Sequence, residues 1–305
     1  MAQTPTVAAS SARETVAGQG PPPRLLAVGD NVVDRYVEAG FMYPGGNAVN
    51  VAVHARRNGA TSAYLGAVGT DRAGHVVLAA LEEEGVDTTL TRRVDGANAY
   101  ADVRIVAGNR VFGGADAGIS RFTVSPADLE AAAAFDIVHT GECSLLEGQL
   151  KELAEAARTL SFDFSERPWD YVQNHAPHVS VAIWSVPGGN RVEAEDQARR
   201  VRDRGPSLVA ITLGAAGAVL LHEDELAYSP VGPGPVVDTL GAGDAFIARL
   251  LVGIARSEPL QQLVGQATAY ATASCASYGA FGHRTPITGQ LAELNPIRNG
   301  RLDLR

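Results

Sequence analysis

The stretch Asp238-Thr239-Leu240-Gly241-Ala242-Gly243-Asp244 sets two carboxylates around a run of small residues, and an apolar pattern begins directly after it. Ala245, Phe246, Ala248, Leu250, Leu251 and Ile254 recur at helical spacing. Gly241, Ala242 and Gly243 therefore stand where a loop becomes a helix N-terminus. Backbone N–H groups there lack intrahelical acceptors, and the helix dipole favours negative charge. Small side chains let a phosphate approach that backbone closely. Asp244 then puts a carboxylate in the anion site itself. An acid in a first helical turn is by itself a dipole partner or a cap, but that role leaves the Gly-Ala-Gly before it without a reason. A base beside an anion site is the arrangement that deprotonates a hydroxyl as it attacks a phosphate.

Other elements must carry such a loop and supply the second substrate. Arg24 to Asp34 reads as a buried strand running into a turn, with Asp30 and Asp34 near the end where ligands collect in open α/β sheets. Tyr36 to Tyr43 alternates as a strand exposed on one face would. Gly45 and Gly46 make a turn into a helix that ends at Gly59, with Val49, Ala52 and Val53 on its buried side. Asn47 is expected to cap this helix. Asn50 falls inside it, where Asn is a mediocre helix former, and an amide that both donates and accepts reads sugar hydroxyls well. From Pro126 onward helices and strands alternate, which predicts a parallel sheet with helices on both faces. Leu145 to Leu160 reads as one helix. Glu142 and Asp163 lie at strand ends and are site candidates. Ile211 to Leu221 is a strand, a Gly-bearing turn and a strand.

These motifs resemble the ribokinase-like (PfkB) carbohydrate kinases. Asp238 to Asp244 matches their C-terminal signature, and the Gly45-Gly46 turn with Asn50 matches their N-terminal one. The segments Gly29 to Tyr36, Tyr43 to Val53 and Phe162 to Asp170 look most like fructoselysine 6-kinases. The resemblance implies an α/β fold with a Rossmann-like, mostly parallel central sheet and a small β-sheet lid, built from about 35–43 and 97–114. It implies ATP-dependent phosphorylation of a primary hydroxyl on a sugar or sugar derivative, such as a fructosamine at the 6-position, with Mg²⁺. Asp244 would be the base, with the amides of Gly241, Ala242 and Gly243 as anion hole. Asp34, Gly45, Gly46 and Asn50 would hold the sugar, with Arg104, Arg110 and Glu142 as further candidates. Thr212, Gly214 and Gly279 would face the nucleotide, and Asp238 and Thr239 a monovalent cation such as K⁺. The lid would also make a homodimer. The family's usual N-x-x-E magnesium motif is irregular: Asn190 and Glu193 have the spacing but lie late, and a helix cap is the expected role for Asn190. A kinase for another sugar or a nucleoside, or a binding protein without catalysis, are the competing readings. No G-x-G-x-x-G follows the first strand, which counts against a dehydrogenase.

The chain has 305 residues, a formal net charge of −9 and two cysteines. The charge argues against nucleic acid or an anionic membrane as the partner. Cys143 and Cys275 suit a reducing, cytoplasmic setting. Residues 1–23 are expected to be a disordered extension, 24–283 the kinase domain and 284–305 a tail to which no function is assigned.

Overall fold

The structure is a computed structural model, and it describes residues 20–106 and 109–287. Most of the expected extension, residues 107 and 108, the Arg110 side chain and most of the tail lie outside the described residues.

The strands are β1 (Arg24–Val28), β2 (Val32–Tyr36), β3 (Phe41–Gly45), β4 (Thr61–Leu65), β5 (Ala67–Gly69), β6 (Arg92–Val94), β7 (Tyr100–Val106), β8 (Asn109–Asp116), β9 (Ile137–Gly141), β10 (Leu160–Asp163), β11 (Val181–Ser185), β12 (Leu208–Thr212), β13 (Ala218–His222), β14 (Glu225–Ser229) and β15 (Thr285–Pro286). The helices are α1 (Asn47–Arg57), α2 (Arg72–Glu83), α3 (Pro126–Ala132), α4 (Leu150–Ala156), α5 (Trp169–His175), α6 (Arg191–Arg202), α7 (Ala242–Ala255) and α8 (Leu260–Ser274).

The main sheet has the order β14-β13-β12-β11-β10-β9-β1-β4. From β4 to β12 the neighbours are parallel, and β13 and β14 continue as an antiparallel meander. Buried β-strands such as Val181-Ala182-Ile183-Trp184 are apolar on both faces because helices cover both. One core layer packs α1, α7 and α8 on the sheet through Val49, Val53, Leu250, Leu251 and Val264. The other holds Leu150, Leu153, Phe162, Phe164 and Val201 with α4 and α6. The ends of the parallel strands, with α1 and α7 starting beside them, frame the site.

The second sheet is the lid, with order β15-β3-β2-β7-β8. It differs from expectation in two places. Tyr36 to Tyr43 is not one strand: β2 and β3 form an antiparallel hairpin around a short 3-10 turn, closed by Gly40 at φ 71°. Glycine has no Cβ to oppose that left-handed conformation. Thr285 and Pro286, expected in the tail, pair with Met42 and Phe41 and belong to the lid. The single helix expected over Leu145 to Leu160 is also broken. Leu145 takes φ 55°, a short 3-10 turn follows, α4 spans only Leu150–Ala156, and Leu160 already starts β10.

Candidate active site

Helix α1 begins at Gly46, whose φ of 104° no ordinary side chain favours, and a Cβ there would fall 2.7 Å from the Asn31 backbone. Asn47 does not cap the helix. Asp30, just beyond β1, does so from outside: its carboxylate accepts the Asn47 and Ala48 N–H groups at 3.0 and 3.3 Å and the Ser144 hydroxyl at 3.1 Å. Burial still raises the Asp30 carboxyl above its usual range, against those donors. The Asn47 side chain, freed from capping, reaches across the site.

Its Nδ2 donates to Asp244 Oδ1 at 2.8 Å and to Asp163 Oδ2 at 2.9 Å. One amide nitrogen with two hydrogens thus joins two carboxylates. Asn50 Nδ2 donates to the other oxygen of Asp244 at 2.6 Å. The Asn47 carbonyl faces His139 Nε2 at 3.2 Å, and His139 Nδ1 meets the Ser161 hydroxyl at 3.1 Å. Burial pushes His139 down to about 3, so the ring is neutral at physiological pH. An amide carbonyl can only accept, so the single ring proton belongs on Nε2 and Ser161 donates to Nδ1.

Asp163 ends β10 with its second oxygen taken by the Ser165 N–H at 2.8 Å. Burial raises both acids to about 7. The neighbouring negative charge of Asp244 adds to the shift at Asp163, while Asn50 and Asn47 oppose it at Asp244. The two titrate as a pair near neutrality, poised between acid and base.

Asp244 lies in the first turn of α7, which starts at Gly241 with φ 74°. A Cβ on Gly241 would fall 2.4 Å from the Ala280 side chain, whereas one on Gly243 would meet nothing within 4 Å. Of the three amides expected to form the anion hole, Ala242 donates to the Thr239 carbonyl at 3.2 Å. Among the described residues the Gly241 and Gly243 N–H groups have no acceptor, and the open space at Gly243 is where one could approach.

Asp238 is engaged by the chain itself. It accepts Leu240 N–H at 3.0 Å, Gly279 N–H at 3.1 Å and the Tyr36 hydroxyl through a short hydrogen bond. Tyr36 stacks edge-on against Tyr43 and Tyr278, and a Cβ on Gly279 would strike the Tyr43 ring at 2.6 Å. Gly279, expected at the nucleotide, is buried against the lid. The same carboxylate therefore joins the lid, the loop before α7 and the segment after α8.

The remaining expected residues divide. Asp34 is buried in β2, and Gly45 lies so near that a Cβ there would come 2.4 Å from its Oδ2. Thr212 ends β12 with its hydroxyl 2.9 Å from Ser185, and Gly214 follows at φ 59°. Glu142 is held by Arg167 at 2.7 Å, and Arg104 is exposed on β7. Asn190 caps α6 by accepting the Glu193 N–H at 3.0 Å, which accounts for the misplaced N-x-x-E spacing. Sequence reasoning missed the bridging role of Asn47, the capping role of Asp30 and the support from His139. A histidine inside the fully buried Ile137–Gly141 strand was the available signal for the last.

Residues 25–285 match the family model described as pfkB family carbohydrate kinase. The chain belongs to the pfkB family of carbohydrate kinases. This kinase is 36% identical over 270 residues to the fructosamine kinase FrlD of Bacillus subtilis (strain 168), covering 86% of this chain and 94% of that one. It is 33% identical over 265 residues to the fructoselysine 6-kinase of Escherichia coli (strain K12), covering 84% and 99%. Among solved structures it is similar to Arabidopsis thaliana ribokinase complexed with ribose and ATP, with TM-score 0.76 and 20% identity over 90% of this chain and all of that one. It is also similar to aminoimidazole riboside kinase from Salmonella enterica, with TM-score 0.68 and 22% identity over 88% and 99%. Those two similarities establish the ribokinase-like fold.

Proposed function

We propose that this carbohydrate kinase transfers the γ-phosphoryl group of ATP to the 6-hydroxyl of a fructosamine, with fructoselysine as the leading acceptor. The observation that carries the chemistry is Asp244, held by two amides directly after two N–H groups with no acceptor among the described residues. The choice of acceptor rests on the 36% and 33% identity to a fructosamine kinase and a fructoselysine 6-kinase.

In this reading the sugar hydroxyl lies against Asp244, which accepts its proton as the oxygen attacks phosphorus. Asn47 and Asn50 hold the carboxylate in place, and the amides at Gly241 and Gly243 meet the charge that develops on the transferred group. Such donors commonly contribute about 3–4 kcal/mol each to the transition state. Asp34 and Asn50 orient the sugar, and Gly45 and Gly46 leave it room. The Asn50 carbonyl oxygen is buried with no partner among the described residues, an acceptor suited to a sugar hydroxyl. Thr212 and Gly214 border the nucleotide.

Among the described residues no group of three or more His, Cys, Asp or Glu side chains is spaced to hold a metal. Mg²⁺ keeps several waters and is held mainly by phosphates with one or two carboxylates; Asp163, bridged to Asp244 through the Asn47 amide, is the carboxylate we assign to it. Mg²⁺ would neutralise charge on the phosphates. We further propose a cytoplasmic homodimer joined through the lid. No described helix is long and apolar enough to cross a membrane.

The test is a mass-spectrometric screen of the enzyme with Mg-ATP against fructoselysine, other fructosamines, fructose, ribose and nucleosides. A singly phosphorylated fructosamine, absent with Asp244→Asn, supports the whole reading. Phosphorylation of another sugar alone keeps the mechanism and rejects the acceptor.

A further inference from the structure

The lid carries a charge to which the mechanism above gives no work. Strand β3 pairs antiparallel with β2 on one side and β15 on the other. Asp34 stands opposite Tyr43, Tyr36 opposite Phe41, and Thr285 opposite Met42. One more step of the same register sets Arg284 opposite Tyr43. Directly opposed residues share a face of the sheet. Arg284, Tyr43 and Asp34 therefore form one row across the lid, and Phe41 and Tyr36 belong to the next row on that face. Neighbouring strands lie about 4.8 Å apart, so the Arg284 and Asp34 backbones are roughly 10 Å from each other.

The Arg284 guanidinium rests over the Phe41 ring, 3.3 Å from its centroid. Arg284 is exposed, and among the described residues it makes no hydrogen bond and no ion pair. Arg35 and Arg167 differ in this respect, since Asp102 and Glu142 already neutralise them. Arg104, a candidate for substrate contact on the sequence, stands on the other face of the lid. A Cβ on Gly113 would lie 3.3 Å from the side chain of Asp102 and 3.8 Å from that of Arg104, and Asp102 is the partner of Arg35. Arg284 thus brings an uncompensated cation to the face that holds Asp34. A guanidinium lying on an aromatic ring keeps its N–H fork for a further partner, and that fork matches a carboxylate.

We propose that Arg284 is a substrate-binding residue that selects acceptors bearing a carboxylate. It takes the α-carboxylate of the amino acid joined to the sugar, while the sugar itself lies at Asp34. This rests on the fructosamine reading given above. The lysine of fructoselysine supplies a long methylene arm between sugar and carboxylate, which suits the span from Asp34 to Arg284. Phe41 and Tyr278, the latter 52% exposed and edge-on to Tyr36, offer that arm apolar surface. On a protein of formal net charge −9, an anionic acceptor also gains from a cation beside its path.

The experiment measures kcat and KM for fructoselysine and for its α-carboxamide, with wild type, Arg284→Ala and Arg284→Lys, and with melting curves to establish folding. The wild type is expected to show a KM about ten-fold or more lower for the acid than for the amide. Arg284→Ala raises KM for the acid by about ten-fold and changes kcat by less than about two-fold, the mark of binding lost equally from ground and transition states. Its KM for the amide stays where it was. Arg284→Lys keeps the charge without the fork and falls between the two. A rise of KM for acid and amide alike overturns the proposal, because lost packing on Phe41 would act on both. An unmoved KM for the acid overturns it as well, and leaves the fructosamine reading standing. Should Arg284→Ala not fold, the wild-type preference and the Arg284→Lys values decide, and equal wild-type KM values for acid and amide overturn the proposal. A wild type that phosphorylates fructose or ribose but neither fructosamine overturns the acceptor reading, and this inference with it.

Discussion

Asp238 and Asp244 bound the same short stretch, yet the fold surrounds them differently. Asp238 accepts two backbone N–H groups and the Tyr36 hydroxyl, drawn from three separate segments. Among the described residues Asp244 accepts only from the side-chain amides of Asn47 and Asn50, and a second acid shares one of them. Backbone and phenol donors cannot leave without moving the chain, so Asp238 works as a fastener between lid and loop. Side-chain amides hold Asp244 without tying it to the backbone, which suits the base role proposed for it. A carboxylate's job here follows from what kind of donor surrounds it and not from its place in a motif.

Turnover separates the two most sharply. Asp244→Asn should lower kcat by about 10²–10⁴-fold, the usual contribution of a general base, while nucleotide binding measured by calorimetry is spared. An Asp238→Asn enzyme that lost turnover as completely, with its fold intact, would erase the distinction.

Stability should move the opposite way. Asp238→Asn removes an anionic acceptor from a buried network and is expected to cost about 1.5–3 kcal/mol in urea unfolding. Asp244→Asn should stabilise the ligand-free enzyme above pH 7. The folded-state value of Asp244 is raised from 3.8 to about 7, so the native state binds more protons than the unfolded chain between those values. Stability from this group is therefore full below pH 4 and is lost as pH rises toward 7. The amide variant lacks that loss, and a gain on the order of 2 kcal/mol at pH 8 is expected, discounted from the full shift because the group is coupled to Asp163. A lower melting temperature than wild type at pH 8 would contradict it.

The glycines between the two acids sharpen the comparison further. Gly241→Ala meets Ala280 and a left-handed backbone, and should destabilise by about 1–3 kcal/mol. Gly243→Ala has open space and a helical backbone; its melting point should hold, while KM for ATP rises as the methyl crowds the anion site. Equal melting points for the two would show that the loop repacks.

The smallest effect concerns K⁺. Since Asp238 already has three donors, replacing K⁺ by tetramethylammonium should change the rate by less than about two-fold. Strong dependence on K⁺ would reopen the cation role expected for Asp238 and Thr239.

The sequence made the main sheet legible, because alternating apolar strands and amphipathic helices leave few other layer arrangements. It also marked Asp244, through the small residues beside it. The lid was harder to read: Tyr36 to Tyr43 alternates well enough to pass for one strand, and only Gly40 hints at the turn inside it. Asn47 was harder still. A helix's first Asn is a good cap on local grounds, and what displaces it is Asp30, a residue from another strand whose arrival no local pattern announces. The same holds for Glu142, a strand-end acid whose ion pair with Arg167 depends on the loop after β10.

The lid sheet joins β2 and β3 near one end of the described chain with Thr285 and Pro286 near the other. Asn47 and Asn50 likewise wait for an Asp244 that lies 197 and 194 residues later. During synthesis the early strands and α1 exist for most of the translation time without their partners, since a chain folds as its parts emerge. A ribosome that stalls before Asp244 leaves a product with Asn47 and Asn50 but without the carboxylate they hold. If Asp244 is the base proposed above, premature products would lack phosphoryl transfer, and activity would wait until the chain has been made at least to Asp244.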